Sequence, residues 1–243
     1  MAYSIYPMAV ADITLQVVRK PVKYLRIKIR PPEGRVQLSV PLEMDDEAVR
    51  CAVLSRMDWI RKQRLRFATV PKSKHLEYVS GEKVRFQGRE YELNVVEQNG
   101  RPCAKLREPG RIDLCVKPGS NPDTRLNVLN DWYRQELKSA IPPLMNKWQR
   151  IMGVRLNEWR IKRMKTRWGT CNIRVKRIWI NLELVKFPVQ FLEFIIVHEL
   201  THLLEPSHNA RFKTLMDSYL PDWRQRQKEL KQSALRAAWV VNG

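Results

Sequence analysis

Three of the four histidines in this 243-residue chain fall within the eleven residues His198-Glu199-Leu200-Thr201-His202-Leu203-Leu204-Glu205-Pro206-Ser207-His208. On a helix, residues i and i+4 stand one above the other on the same face, so His198 and His202 can present two imidazole nitrogens to one ion at about 2.0–2.1 Å. Glu199 sits about 100° round the helix. From there its carboxylate is badly placed to bind the same ion. It is well placed to take a proton from a water in an open coordination position and hand it to a leaving group. Glu205-Pro206 predicts the end of the helix, because the residue before a proline is pushed out of the α region, and the turn brings His208 back as a third ligand. No histidine or cysteine follows closely to fill a fourth position. Three protein ligands with one open place are the catalytic form of a zinc site, whereas structural zinc is usually closed by four. A bare HExxH arises by accident on the order of once per hundred chains of this size, and a third histidine at ligand spacing makes accident a poor account. The pattern predicts Zn2+ on His198, His202 and His208, with Glu199 as the catalytic residue of a zinc-dependent hydrolase.

Other reactive side chains read more plainly. Cys171 is one lone cysteine, and such a residue is usually inert packing rather than a fourth ligand. Tyr219 shares a helix face with His208, Arg211, Phe212, Leu215 and Met216, but eleven residues at 1.5 Å rise place it roughly 16 Å along the axis from His208. It reads as core packing with a polar tip. His75 stands alone among polar residues and reads as a surface histidine.

Several elements must hold the cluster. Pro188 predicts the start of the helix that carries it, and a second helix after Pro206 runs to about Tyr219. Glu158 to Met164 and Arg177 to Val185 read as strands around the tight segment Arg167-Trp168-Gly169-Thr170-Cys171. Asn121-Pro122-Asp123 reads as an N-cap with proline in the first turn, opening a long helix towards Gly153 with Pro142-Pro143 as a kink or break. Tyr78 to Lys117 carries short strands punctuated by Ser80-Gly81, Gln87-Gly88, Asn99-Gly100 and Pro109-Gly110, the pattern of an antiparallel meander. Period-two alternation from Ile13 to Pro41 predicts a hairpin that turns at Pro31-Pro32-Glu33-Gly34. Asp45 to Phe67 places Val49, Val53, Leu54, Trp59 and Ile60 near helical spacing under a basic outer face, an amphipathic helix. No internal repeat is visible. The fold class predicted is α+β: residues 1–120 form a β-rich antiparallel N-terminal part with one amphipathic helix, and residues 121–243 a helical catalytic part, with the boundary near Ser120.

The charge is lopsided, with 45 Lys and Arg against 25 Asp and Glu. Divided at Ser120, the halves carry 23 basic and 14 acidic residues, then 22 and 11, so the excess belongs to the folded body and not to a tail. Within it, Lys147 to Lys186 holds twelve basic residues against Glu158 and Glu183 alone. Such a band keeps the surface solvated, attracts nucleic acid, nucleotides or acidic proteins, or, as the least favoured reading, meets a membrane surface. Cys51, Cys103, Cys115 and Cys171 make no CxxC pair and suggest a reducing compartment. Without a basic leader followed by an apolar run, or any segment near the roughly 18 apolar residues of a membrane span, the chain reads as cytoplasmic with no membrane partner.

With these residues in view, the sequence resembles the YgjP-like metallopeptidase-domain family, metal-dependent hydrolases related to the SprT-like zinc proteases. The resemblance rests on Ser80-Gly81-Glu82 with Gly88-Arg89-Glu90-Tyr91, on Arg167 to Cys171, on Asn181-Leu182-Glu183-Leu184, and on Val197 through Phe212. It extends from about Val22 to Leu230. It implies a zincin-like core beside a β-rich N-terminal part, with His198, His202 and His208 on the metal and Glu199 in catalysis. Thr170 stands where serine is usual. The histidine spacing also equals that of metzincins, but Glu205 replaces their glycine and no methionine turn follows, which sets that class aside.

Three functions are compatible with these residues. The first is a zinc metallopeptidase acting on a protein or peptide substrate, its basic band favouring nucleic-acid-associated proteins. The second is a metal-dependent hydrolase of nucleotide phosphoanhydrides, since a positive cleft and an activated water serve that bond as well. The third is a nucleic-acid-binding module with a non-catalytic zinc site.

Overall fold

The computed structural model describes residues 4–30, 34–68, 76–107 and 109–236. Two compact units divide the chain, Met1–Ser73 with Ala234–Val240 and Lys74–Ser233 with Val241–Gly243. The α+β class holds: sheets lead and helices follow.

In the first unit β1 (Ser4–Val10), β2 (Ile13–Arg19), β3 (Arg26–Arg30) and β4 (Arg35–Val40) form one sheet in the order β1-β2-β4-β3. Period-two alternation puts Ile13, Leu15 and Val17 of β2 and Val36, Leu38 and Val40 of β4 into a single core. The hairpin expected before Val40 is the antiparallel β3–β4 pair, Ile29 opposite Val36. Most of its predicted turn, residues 31–33, lies outside the described residues, as does His75. The helix expected over Asp45 to Phe67 is two helices, α1 (Asp46–Leu54) and α2 (Met57–Ala68). Asp45 caps α1 by accepting from the Ala48 amide at 2.7 Å. The break follows from Ser55, whose hydroxyl bonds back to the Ala52 carbonyl while its amide closes on Cys51. The bend brings Val49, Val53, Met57 and Ile60 to the sheet and leaves Leu54 and Trp59 outside at 52% and 47% exposure.

In the second unit β5 (Lys83–Phe86), β6 (Arg89–Glu97), β7 (Cys103–Arg107) and β8 (Arg111–Val116) form a sheet in the order β5-β6-β8-β7. A meander would have placed β7 between β6 and β8. Instead β6 runs parallel to β8, Leu93 beside Ile112. Strand β8, which buries Ile112, Leu114 and Val116, lies inside the sheet, and β7, which buries only Ala104 and leaves Leu106 exposed, takes an edge. Pairing and order repeat the first sheet, although no repeat shows in the sequence. The β5–β6 turn needs positive φ at both Gln87 and Gly88, +48° and +82°. Its tip is fastened by the Gln87 and Gly88 amides, which donate to the carbonyls of Val185 and Lys186 at 2.8 and 3.1 Å.

Helix α3 (Pro122–Met152) opens at Asn121, whose side chain accepts from the Thr124 amide at 2.8 Å, and closes at Gly153 with φ +63°. It runs unbroken through Pro142-Pro143, one stripe from Leu129 and Tyr133 to Trp148 and Met152 buried along it. A third sheet follows, in the order β10-β11-β9, from β9 (Glu158–Lys162), β10 (Gly169–Asn172) and β11 (Arg177–Asn181). The strand expected to continue to Val185 stops at Asn181, whose carboxamide accepts from the Glu183 amide and starts a 3₁₀ turn over Leu182–Lys186. Three helices close the unit: α4 (Val189–Thr201), α5 (Ala210–Tyr219) and α6 (Trp223–Arg236). Helix α4 is buried on nearly all sides and packs against α3, α5, β10 and β11. Among the described residues no helix is long and apolar enough to cross a membrane.

Candidate metal centre

His198 leaves the last turn of α4, and His202 caps it. The helix ends earlier than Pro206 requires, because Leu203 and Leu204 tighten the turn with amides that donate to Leu200 and Thr201 at 3.0 and 2.9 Å. Glu205-Pro206 then lies in the loop that returns His208. His208 stands just ahead of α5 rather than on it, since Asn209 caps that helix by accepting from the Phe212 amide at 3.0 Å. This cap places Phe212 beneath all three imidazoles, with ring centroids 5.0, 4.8 and 4.8 Å from those of His198, His202 and His208.

One nitrogen from each ring lies within 4.8 Å of the others, and among the described residues no further cysteine or carboxylate joins this group. The Nε2 atoms of His198 and His208 are 3.0 Å apart. Two nitrogens bound to a tetrahedral ion at 2.0–2.1 Å would be about 3.3 Å apart, so this pair stands near the separation that a shared metal ion requires. His202 Nδ1 meets the Glu205 carbonyl at 3.2 Å, which leaves Nε2 for an ion. His198 Nδ1 is buried without such a partner among the described residues. Burial, then the neighbouring His202 and His208, depress the His198 pKa to about 3, and burial also lowers that of His202. Neutral imidazole is the form that ligates.

Glu199 is 5% exposed and faces the start of β10 instead of joining the three nitrogens. A Cβ at Gly169 would meet Glu199 Oε1 at 2.6 Å and its Cγ at 2.8 Å. Burial pushes the carboxyl up to about 8, opposed by the charge of Arg167. Cys171 lies nearby as a thiol pushed up to about 11, first by burial and then by Glu199.

The segment before β10 is held by Asn181, fully buried at the end of β11. Its Nδ2 donates to the carbonyls of Met164 and Arg167 at 2.9 and 2.6 Å, and its Oδ1 accepts from the Met164 amide at 3.2 Å. Its own amide donates to the Trp168 carbonyl at 2.9 Å. Asn181, Gly169 and Phe212 had no assigned role in the sequence; only the Asn209 cap three residues before Phe212 offered a local signal.

A cavity of about 740 Å³ opens over the cluster. Arg167 to Cys171, the three histidines and Glu199 line it, with Phe194, Phe212, Trp223 and Leu230 as apolar walls. Tyr219 is not among the lining residues. Arg167, Lys213 and Lys231 also line it, and among the described residues none is in an ion pair, although the charge of Arg167 acts on Glu199. Of the basic band, Arg167 alone of the twelve cations lines this cavity. Glu158 pairs with Arg160 and Arg177, Glu183 with Arg163 and Lys186, and Lys147 with Glu193.

Residues 23–233 match the family model described as YgjP-like, metallopeptidase domain. Among solved structures, the metallopeptidase zymogen of Pyrococcus abyssi abylysin is 17% identical with a TM-score of 0.36, covering 39% of this chain and 94% of that one. The metallopeptidase zymogen of Methanocaldococcus jannaschii jannalysin is 20% identical with a TM-score of 0.34, covering 37% of this chain and 93% of that one. No curated protein matches the chain.

Proposed function

The chain belongs to the YgjP-like metallopeptidase-domain family, and from that premise we propose that it is a zinc-dependent peptidase with His198, His202 and His208 as ligands and Glu199 as proton carrier. The observation that carries this reading is the convergence of three imidazole nitrogens within 4.8 Å beside a buried carboxylate. When bound, Zn2+ lowers the pKa of a coordinated water towards 7 and polarises a carbonyl. Glu199 accepts the proton of the attacking water on a carboxylate oxygen and returns it to the departing amine. Gly169 gives that carboxylate room, and Phe212 keeps the three rings from turning away. Strand β10 pairs only with β11 among the described residues, and its residues 169–171 line the cavity. An extended peptide can therefore add to its open edge by main-chain hydrogen bonds. Incubation with unfolded proteins and with nucleoside triphosphates, with and without chelator, tests the proposal: chelator-sensitive peptide cleavage is expected, and intact peptides beside hydrolysed triphosphates would overturn it.

That second outcome belongs to the nucleotide phosphoanhydride reading, which one observation favours. Arg167, Lys213 and Lys231 are cations on the cavity wall with no ion pair among the described residues, where a triphosphate would supply balancing charge, and Trp168 and Trp223 offer aromatic surface nearby.

Association with nucleic acid is a separate part of the proposal and finds its support on the outer face of the third sheet. Arg160, Lys162 and Arg177 hold their cationic groups 5.7, 5.8 and 5.8 Å from the Trp179 ring centroid, and Trp179 stands opposite Thr170 of β10. Affinity for single-stranded DNA is expected to fall roughly tenfold between about 50 and about 200 mM salt, and Lys162→Ala to reduce the salt slope by about one. Binding indifferent to salt in a titration series would remove nucleic acid from the account.

A further inference from the structure

Cys103 and Cys115 are register partners in the antiparallel pair of β7 and β8. Directly opposed residues in such a pair have Cα atoms about 4.5 or 5.5 Å apart, within the 4.4–6.8 Å range that a disulfide spans. The two side chains also point the same way. Each strand turns the alternate residues, Ala104 on β7 and Leu114 and Val116 on β8, into the core, and leaves the cysteines half-buried on the other face with Lys105, Asp113 and Arg111. Both thiols are free. Their closeness shows in Cys115, whose thiol is raised first by burial and then by the neighbouring Cys103 thiol. Cys51 and Cys171 have no such partner: one lies on α1 and the other on β10. The spacing is not what a CxxC motif would produce, since the two cysteines are twelve residues apart and meet only through the hairpin.

We propose that Cys103 and Cys115 form a two-electron redox site that a hydroperoxide converts to a cross-strand disulfide. Cys103 is on a strand flanked, among the described residues, by a neighbouring strand on one side only, and its sulfur attacks first. As its thiolate it takes the distal oxygen of the peroxide, the O–O bond breaks, and the other oxygen leaves as water or alcohol after gaining a proton. Cys103 is then a sulfenic acid. The sulfur of Cys115 loses its proton and attacks the sulfenyl sulfur, so that the S–S bond forms, the S–O bond breaks, and the hydroxyl departs as water. Two thiols and one peroxide thus give one disulfide and two waters, or a water and an alcohol. The product ties β7, which buries only Ala104, to the apolar strand β8.

The site is independent of the metal cluster, so its test does not depend on hydrolysis. The full chain is treated with one equivalent of hydrogen peroxide, alkylated under denaturing conditions and mapped by mass spectrometry. A peptide pair joining Cys103 to Cys115, lighter by two hydrogens and released by dithiothreitol, is the expected result. The same pair should form in Cys51→Ser, which removes the exposed thiol. Cys103 and Cys115 both recovered as alkylated thiols while Cys51 or Cys171 is oxidised would overturn the proposal, as would a link from either cysteine to a different partner.

Discussion

Glu199→Gln is expected to reduce hydrolysis by on the order of 10²- to 10⁴-fold and to leave zinc content unchanged. The amide keeps the shape of the side chain in its place against Gly169 but cannot accept the proton of an attacking water. Because Glu199 stands outside the group of three imidazole nitrogens, the metal loses no ligand. A second effect has the opposite sign. In the metal-free protein burial, opposed by Arg167, pushes the Glu199 carboxyl up to about 8 from 4.5. The folded state therefore retains a proton that the unfolded chain has already given up. Stability is untouched below the unfolded value and drains away as pH rises from roughly 4.5 to about 8. Over that interval the loss is on the order of 5 kcal/mol at about 1.4 kcal/mol per tenfold. Glutamine has no proton to lose, so the metal-free variant should gain on the wild type as pH rises. Urea denaturation at pH 5 and pH 8 measures the difference. A variant that keeps its activity would leave the zinc site without a catalytic part, the case of a binding module with a vestigial metal site.

How much of this was open to view before the fold was known depends on the distance over which each feature is specified. His198, Glu199 and His202 are fixed by one turn of helix, so spacing alone placed them. His208 needed only the nearby loop. Even there the reason shifted, since the chain leaves α4 by tightening at Leu203 and Leu204 and not at Glu205-Pro206. Asn181 acts on Met164 and Arg167, seventeen and fourteen residues away, and no local pattern announces such a contact. The alternation in β2, β3 and β4 was legible because each strand buries one face. The parallel pairing of β6 with β8 was not, because it joins strands of two separate hairpins and no local pattern ties one to the other. Ser55 in its helix and Asn181 at its strand end make the same point on a smaller scale. Each redirects the backbone through one side-chain hydrogen bond, against a hydrophobic periodicity that would have continued.

Gly169→Ala is expected to lower turnover by about 10²-fold or more, although position 169 offers the reaction no side chain of its own. Its backbone conformation is an ordinary strand one, so the requirement for glycine is one of space alone. An added methyl would sit 2.6 Å from Glu199 Oε1, 2.8 Å from its Cγ and 2.9 Å from Ile195 Cγ2. None of the three can retreat cheaply. Glu199 and Ile195 are each 5% exposed on a helix buried nearly all round. On the other side β10 is held in register with β11, Gly169 opposite Ile180, and the segment before it is fastened by Asn181. Either the carboxylate turns aside or the strand moves off the helix, and both displace the proposed proton carrier from the water it would activate. Gly100→Ala makes a fair control, because among the described residues its added methyl would meet just the flexible end of Gln98, at 3.3 Å; its effect on stability should stay within about 0.5 kcal/mol. Turnover, melting temperature and zinc content measured together separate a displaced carboxylate from a lost fold. Gly169→Ala at the wild-type rate, with zinc bound, would mean that Glu199 has freedom the packed side chain does not show, and the role of β10 in positioning it would have to be abandoned.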